Sequence, residues 1–157
     1  MALSIPPSTV KQALSSTNSA FYLYWSKLAE AQRPPRKSSV NPADIRKILA
    51  HLVIYEQKES TVFQIRLMGT KTTQRIGLDL TGQNLLDFCR YSEKEQARED
   101  LNRIVYEPVG QFLIVKDRFT SGRETWVEII RLPLTDDDGN VRFIISSTEE
   151  KKTTGFT

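Results

Sequence analysis

Residues 63–88 read FQIRLMGTKTTQRIGLDLTGQNLLDF, and the fold follows from how that stretch changes character. Phe63, Ile65 and Leu67 alternate with Gln64, Arg66 and Met68, the period of two of a half-buried strand. Gly69 breaks the strand. Thr70 to Ile76 is long enough for a helical turn or two, Gly77 and Gly82 are flexible points, and Leu85, Leu86 and Phe88 return the chain to a core. Such an element wraps a small cavity or a small core against a sheet, and the rest of the chain is expected to supply that sheet.

Just upstream, Leu52-Val-Ile-Tyr-Glu56 reads as a first strand, with Lys58-Glu-Ser60 as the turn into a second, Thr61 to Met68. Downstream, Ser92 to Tyr106 reads as a helix. Ser92 is its cap, Glu95 stands at the capping-box position, and Ala97, Leu101, Ile104 and Val105 form the buried stripe. Three meander strands follow, Val109 to Phe119, Glu124 to Leu134 and Val141 to Ser147. They are joined by turns at Thr120–Arg123 and Asp136–Asn140, the latter with Gly139 and Asn140 at positive φ. Two strands, a helical insert and three strands make one five-stranded antiparallel sheet, an α+β fold with helices on one face.

Residues 1–17 are rich in Ser, Thr and Pro and read as a flexible N-terminus. Residues 18–50 form an N-terminal helical extension. Its first helix covers Asn18 to Gln32, with Phe21, Trp25 and Leu28 at i, i+4 and i+7. Tyr22, Leu23 and Tyr24 thicken that face. The helix therefore either packs on its own domain or turns Phe21, Tyr22, Tyr24, Trp25 and Leu28 toward a second subunit. Prolines 34 and 35 impose an extended connector. A second helix is expected from Asn41, with Pro42 and Asp44 in its first turn and Ile45, Ile48, Leu49 and Leu52 at helical spacing. The core spans 51–148, and 149–157 is a polar tail.

The chain has 157 residues, with 39% hydrophobic and 26% charged, enough for one domain with its own core. A net charge of +3 is too small to signal nucleic-acid binding, and the basic run Arg33, Arg36, Lys37 reads as a solvated linker. No membrane span and no secretory leader are visible, and the single cysteine, Cys89, forms no internal disulfide. A cytoplasmic protein is the simplest reading.

This order of elements resembles that of PAS domains. The similarity becomes specific at Phe-Gln-Ile-Arg66-Leu67-Met-Gly69-Thr70 and Gly77-Leu-Asp79-Leu80-Thr81-Gly82. With Tyr24-Trp25 and Leu28, Asn41-Pro42-Ala43-Asp44-Ile45, and Leu132-Pro133-Leu134, the chain looks like a small stand-alone bacterial PAS-like family first catalogued as a domain of unknown function. The resemblance covers roughly residues 20 to 148. It implies a sensory or docking module that binds a small molecule against the sheet, dimerises or relays a signal. Where relatives tend to carry acids between the first two helices, this chain has Ser39 and Asn41.

The chemistry of that family can be checked against these residues. In light-sensing PAS domains the reactive cysteine directly follows an Asn in Gly-x-Asn-Cys-Arg. Here Gly82-Gln83-Asn84 is followed by Leu85, and Cys89 comes four residues later, so the sequence reads against a covalent flavin. Haem-binding relatives use a His on the helix before the meander. That helix has none, and the lone His51 lies elsewhere, so haem is disfavoured too. Asp136-Asp-Asp-Gly139 fails the calcium-loop register, and no metal is expected. Glu124 and Glu128 share one side of a strand with Trp126 between them and read as exposed. No nucleophile motif stands out, so no enzyme is expected.

The candidate ligand pocket comprises Phe63, Ile65, Leu67, Leu85, Phe88, Leu101, Leu113, Val127 and Ile129, with Arg66 and Arg131 as strand-embedded cations. Either arginine holds an anionic ligand or is paired across the sheet. The leading reading is a non-enzymatic PAS-type regulatory module that dimerises, holds a small ligand against the sheet and signals by contact with an unidentified signalling partner. The alternatives are an interaction module with a filled core, or a nucleic-acid-associated regulator using Arg33, Arg36 and Lys37.

Overall fold

The computed structural model describes residues 2–3, 15–89, 93–118 and 124–151. Its strands are β1 (Ala2–Leu3), β2 (Leu52–Glu59), β3 (Val62–Met68), β4 (Gln111–Arg118), β5 (Glu124–Thr135) and β6 (Val141–Lys151). Its α-helices are α1 (Ser16–Ala31), α2 (Thr70–Ile76) and α3 (Lys94–Tyr106). The strands form one sheet in the order β1-β4-β5-β6-β2-β3, every neighbouring pair antiparallel. The five expected strands are present, and the two-residue β1 extends one edge. The remainder of 1–17 up to Val10 and on to Leu14 lies outside the described residues, as do the Ser92 cap and the Thr120–Arg123 turn.

Helix α1 begins at Ser16 because Ser15 caps it, its hydroxyl accepting the Asn18 amide. It ends before the two prolines. It lies on the outer face of the sheet: Phe21, Tyr22, Trp25 and Ala29 bury against Leu52, Ile54, Ile130, Leu132, Leu134 and Ile145. The Trp25 indole donates to the Pro133 carbonyl at 3.0 Å. The connector is tied down as well: Thr135 donates to the Pro35 carbonyl at 2.9 Å, and Arg33 and Lys37 sit over the Trp25 and Phe143 rings. The second helix expected from Asn41 is instead two 3-10 turns, Pro42–Ile45 and Leu49–His51. Asn41 does cap the first, accepting from the Ala43 amide. Ile45 and Ile48 still reach the outer core, which short turns achieve without a continuous helix.

The inner face carries a second core of Val53, Tyr55, Phe63, Ile65, Leu80, Leu86, Leu101, Ile104, Val105 and Ile144, supplied by α3, the 3-10 turn Leu85–Phe88 and the strands. With both faces covered, β2 is buried continuously from Leu52 to Glu56, which explains its unbroken apolar run. The free edge of β3 is capped by the segment after Gly77: Ile65 donates to the Gln83 carbonyl, Gly82 to the Ile65 carbonyl, and Phe63 to Asn84 Oδ1. This occupies an edge that would otherwise expose unpaired amides.

Two local corrections follow. Strand β6 runs to Lys151, so Glu149–Lys151 belong to the sheet rather than to a tail. In the β5–β6 turn only Gly139 has positive φ; Asn140 does not, and Asp136 Oδ1 closes the turn by accepting the amides of Asp138 and Asn140. Among the described residues no helix is long and apolar enough to cross a membrane.

Candidate functional site

The site begins with register. In β5, Ile130, Leu132 and Leu134 face α1, so Val127, Ile129 and Arg131 face inward. In β6, Ile144 belongs to the inner core and Ile145 to the outer, which puts Ser146 and Thr148 on the inner side. Arg131 stands directly opposite Ser146, and Ile129 opposite Thr148. Gln111 pairs with Arg131 from β4 and accepts its Nη1 at 3.0 Å. Among the described residues Arg131 Nε and Ser146 Oγ have no hydrogen-bond partner, and Ser146 is fully buried. From above, α2 lowers Thr72 and Arg75 onto the next rung, where Thr72 Oγ1 and Arg75 Nη2 each lie 3.2 Å from Thr148 Oγ1. His51 Nδ1 meets the Thr148 carbonyl at 3.1 Å. Two guanidinium groups and a buried hydroxyl thus approach neighbouring rungs of one sheet face. Such a set carries the donors that charge-assisted hydrogen bonds to an oxygen-rich or anionic group require.

Of the pocket candidates, Phe63, Ile65, Leu85 and Leu101 belong to the inner core. Leu113 and Val127 are buried and Ile129 is half-buried on the same face. Three candidates are misplaced. Leu67 packs in the outer core: Ile54 pairs with Leu67 and Tyr55 with Ile65, so Arg66 is an extra residue, a bulge that turns Leu67 to the other face. Arg66 is exposed and pairs with Glu56 at 3.2 Å, a surface arginine held across the sheet. Phe88 is 50% exposed, because its 3-10 turn sends Leu86, not Phe88, inward. Arg75, Ser146 and Thr148 were not anticipated. The i, i+3 spacing of Thr72 and Arg75 was the available signal, but it fits any exposed helical face equally well.

The aromatic residues of α1 are also placed. Phe21, Tyr22 and Trp25 are buried within their own chain, which corrects their reading as surface for another subunit. Tyr24 and Leu28 are half-buried. They line a cleft of about 720 Å³ between α1 and the connector. Tyr24 Oη also accepts the Asn41 amide.

Below the start of α1 lies Glu128, read from sequence as exposed but fully buried. It accepts Ser15 N and Asn18 Nδ2, each at 2.9 Å, and pairs with Lys151 Nζ at 2.5 Å. Glu124, by contrast, is exposed and pairs with Lys116. The two carboxylates are thus committed to separate ion pairs rather than facing each other. Asn84 is a clip, its side chain bonded to Phe63, Leu86 and Thr61. Leu85, the next residue, packs on the inner core, and the Cys89 thiol donates to the Leu85 carbonyl. These residues do not fit a covalent flavin. Among the described residues no cluster of His, Cys, Asp and Glu fits a metal.

A family model described as PAS domain matches residues 13–147. The chain belongs to the PAS-domain family. Solved PAS structures of the light-oxygen-voltage class share its fold. A light-oxygen-voltage domain studied with a flavin analogue superposes with a TM-score of 0.57 at 13% identity, over 71% of this chain and 84% of that one. The light state of the blue-light photoreceptor Aureochrome1 LOV gives 0.55 at 13% identity, over 74% and 91%. The Rhodobacter sphaeroides LOV protein gives 0.54 at 14% identity, over 74% and 71%. No match is found among curated proteins. At these identities the likeness concerns the PAS fold.

Proposed function

We propose that this chain is a non-enzymatic PAS-type sensory or regulatory module that holds a small ligand against the inner face of its sheet and passes its state on by protein contact. The observation that carries this reading is the pair Arg131 and Ser146, facing each other across β5 and β6 with Arg131 Nε and the fully buried Ser146 Oγ unpartnered among the described residues. A buried polar atom without a partner costs about 1–3 kcal/mol, and a ligand oxygen offsets that cost. Membership of a family whose domains are sensory rather than catalytic supports the same reading. So does the commitment of Glu124 and Glu128 to lysines, which leaves neither as a free acid or base.

The test is native mass spectrometry of freshly purified protein against its denatured mass, for the parent and for Arg131→Met. The parent is expected to retain a non-covalent mass that the variant loses. A bare parent mass favours the second reading, an interaction module with a filled core. That alternative draws support from Phe63, Ile65, Leu86 and Leu101, each at most 2% exposed on the inner face.

A further inference from the structure

Charge in this chain is not spread evenly. Residues 27–47 hold six basic residues and two acidic ones, a net of +4 in a chain whose total is +3. Of these charged residues, Lys27, Arg36 and Asp44 line the cleft between α1 and the connector. Its apolar lining is Tyr24, Leu28, Ala31 and Pro35, and Lys27 and Arg36 line it as well. Both of these cations are exposed, and no ion pair is recorded for either among the described residues. Arg33 and Lys37 sit over the Trp25 and Phe143 rings and, with Arg33 exposed and Lys37 half-buried, add to the local potential.

We propose that this cleft docks an acidic segment of a partner protein, one that carries an apolar side chain for Tyr24, Leu28, Ala31 and Pro35 and carboxylates for Lys27 and Arg36. The inference rests on the reading of this chain as a module acting by protein contact, and names the surface and the chemistry of the partner. Charge complementarity selects the occupant. The chain's own segment 152–157 is excluded because its charged residue, Lys152, is basic. A nucleic acid fits less well. The lining carries two cations and one acid, Asp44, too little positive charge to follow a phosphate backbone, and the aromatic there, Tyr24, is half-buried with its hydroxyl engaged by Asn41, which limits base stacking. A volume of about 720 Å³ suits a few side chains.

The experiment uses the full chain, 15N-labelled, titrated with a short synthetic peptide in which Asp and Glu alternate with Leu. Comparators are the same peptide with Ser for Leu, and a short single-stranded DNA. The expected result is amide shifts confined to Lys27, Leu28, Ala31, Gln32 and Arg36, weaker binding of the Ser peptide, and affinity that falls as salt rises. Lys27→Glu/Arg36→Glu is expected to weaken binding roughly tenfold. Lys94→Glu/Arg103→Glu changes net charge equally on exposed positions of α3, across the sheet, and is expected to leave binding unchanged.

Equal weakening by both double variants, equal binding of the Ser peptide, or shifts outside the cleft would overturn the proposal. Tighter binding of the DNA at the same residues would assign the surface to nucleic acid instead. A parent dimer in sedimentation that Lys27→Glu/Arg36→Glu dissolves would assign it to a second copy. None of these outcomes touches the ligand reading, which is read from the mass retained at Arg131.

Discussion

Glu128 shows how much one residue depends on what covers it. Strand alternation puts Glu124, Trp126 and Glu128 on one side of β5, as the sequence indicates. It does not say where α1 begins to cover that side, so Glu128 reads as exposed when it is fully buried. Replacing it with Ala leaves the Lys151 ammonium and the Ser15 N–H without their acceptor and the Asn18 amide with only the residue-128 backbone carbonyl, and is expected to cost about 3 kcal/mol or more in urea denaturation. Lys151→Met strands the carboxylate and costs a comparable amount. The double variant Glu128→Leu/Lys151→Met is expected to cost less than the sum, because the two share one interaction. Additive losses, or single losses below about 1 kcal/mol, would show the pair to be a surface ion pair in effect. Asp79 is the exposed counterpart. The Thr81 hydroxyl and then the Thr81 amide hold its carboxyl below the ordinary aspartate range. Its folded pKa lies below its unfolded one, so its contribution to stability is present above the unfolded pKa and is lost as pH falls through the lowered value. An acid titration followed by NMR should show the Asp79 midpoint below that of an unstructured aspartate, and Thr81→Ala should raise it. An unchanged midpoint in the variant would remove the Thr81 hydroxyl as the cause.

At the scale of elements, the sequence was legible wherever a pattern was regular and opaque where one residue interrupts it. The order of strands and helices and the Ile65, Leu101 and Val127 side of the sheet follow from periodicity. The bulge at Arg66 does not, because an inserted residue leaves local hydrophobicity unchanged while swapping the faces of everything after it. Leu67 therefore went to the wrong core. The turns at Pro42–Ile45 and Leu49–His51 were read as one helix because their apolar spacing serves either geometry. The glycines divide in the same way. Gly82 needs its positive φ of 90° and a Cβ there would have no neighbour within 4 Å, whereas a Cβ on Gly69 would collide with the Ala50 carbonyl. Gly82→Ala is expected to cost about 1 kcal/mol through backbone strain. Gly69→Ala is expected to cost about 3 kcal/mol, since a backbone carbonyl cannot rotate aside as a side chain does. Thermal denaturation of the two variants compares them directly, and equal losses would mean that the junction of β3 with α2 yields more readily than its contacts suggest.

The molecule as a whole is a sheet sealed on both sides, by α1 outside and by α2, α3 and the intervening turns inside. That arrangement makes the N-terminal extension part of the core rather than an appendage. A chain lacking residues 1–32 uncovers Ile130, Leu132, Leu134 and Ile145, all at most 2% exposed in the intact protein. It is expected to bind hydrophobic dyes and to self-associate in light scattering; a well-behaved monomer would make α1 dispensable. The fold was readable at this scale because element order constrains topology. The inner polar set was not, because Arg75, Arg131, Ser146 and Thr148 are brought together only by strand register and by the seat of α2. The carboxylate of Glu128 has one further consequence. It grips Ser15 at the head of α1 and Lys151 at the end of β6, so handles attached before the one and after the other pull against a shared knot. Under tension between them this contact bears load first. Its rupture frees α1 to peel from the sheet before any strand is drawn out, a small early step in a force trace that Glu128→Gln would shrink.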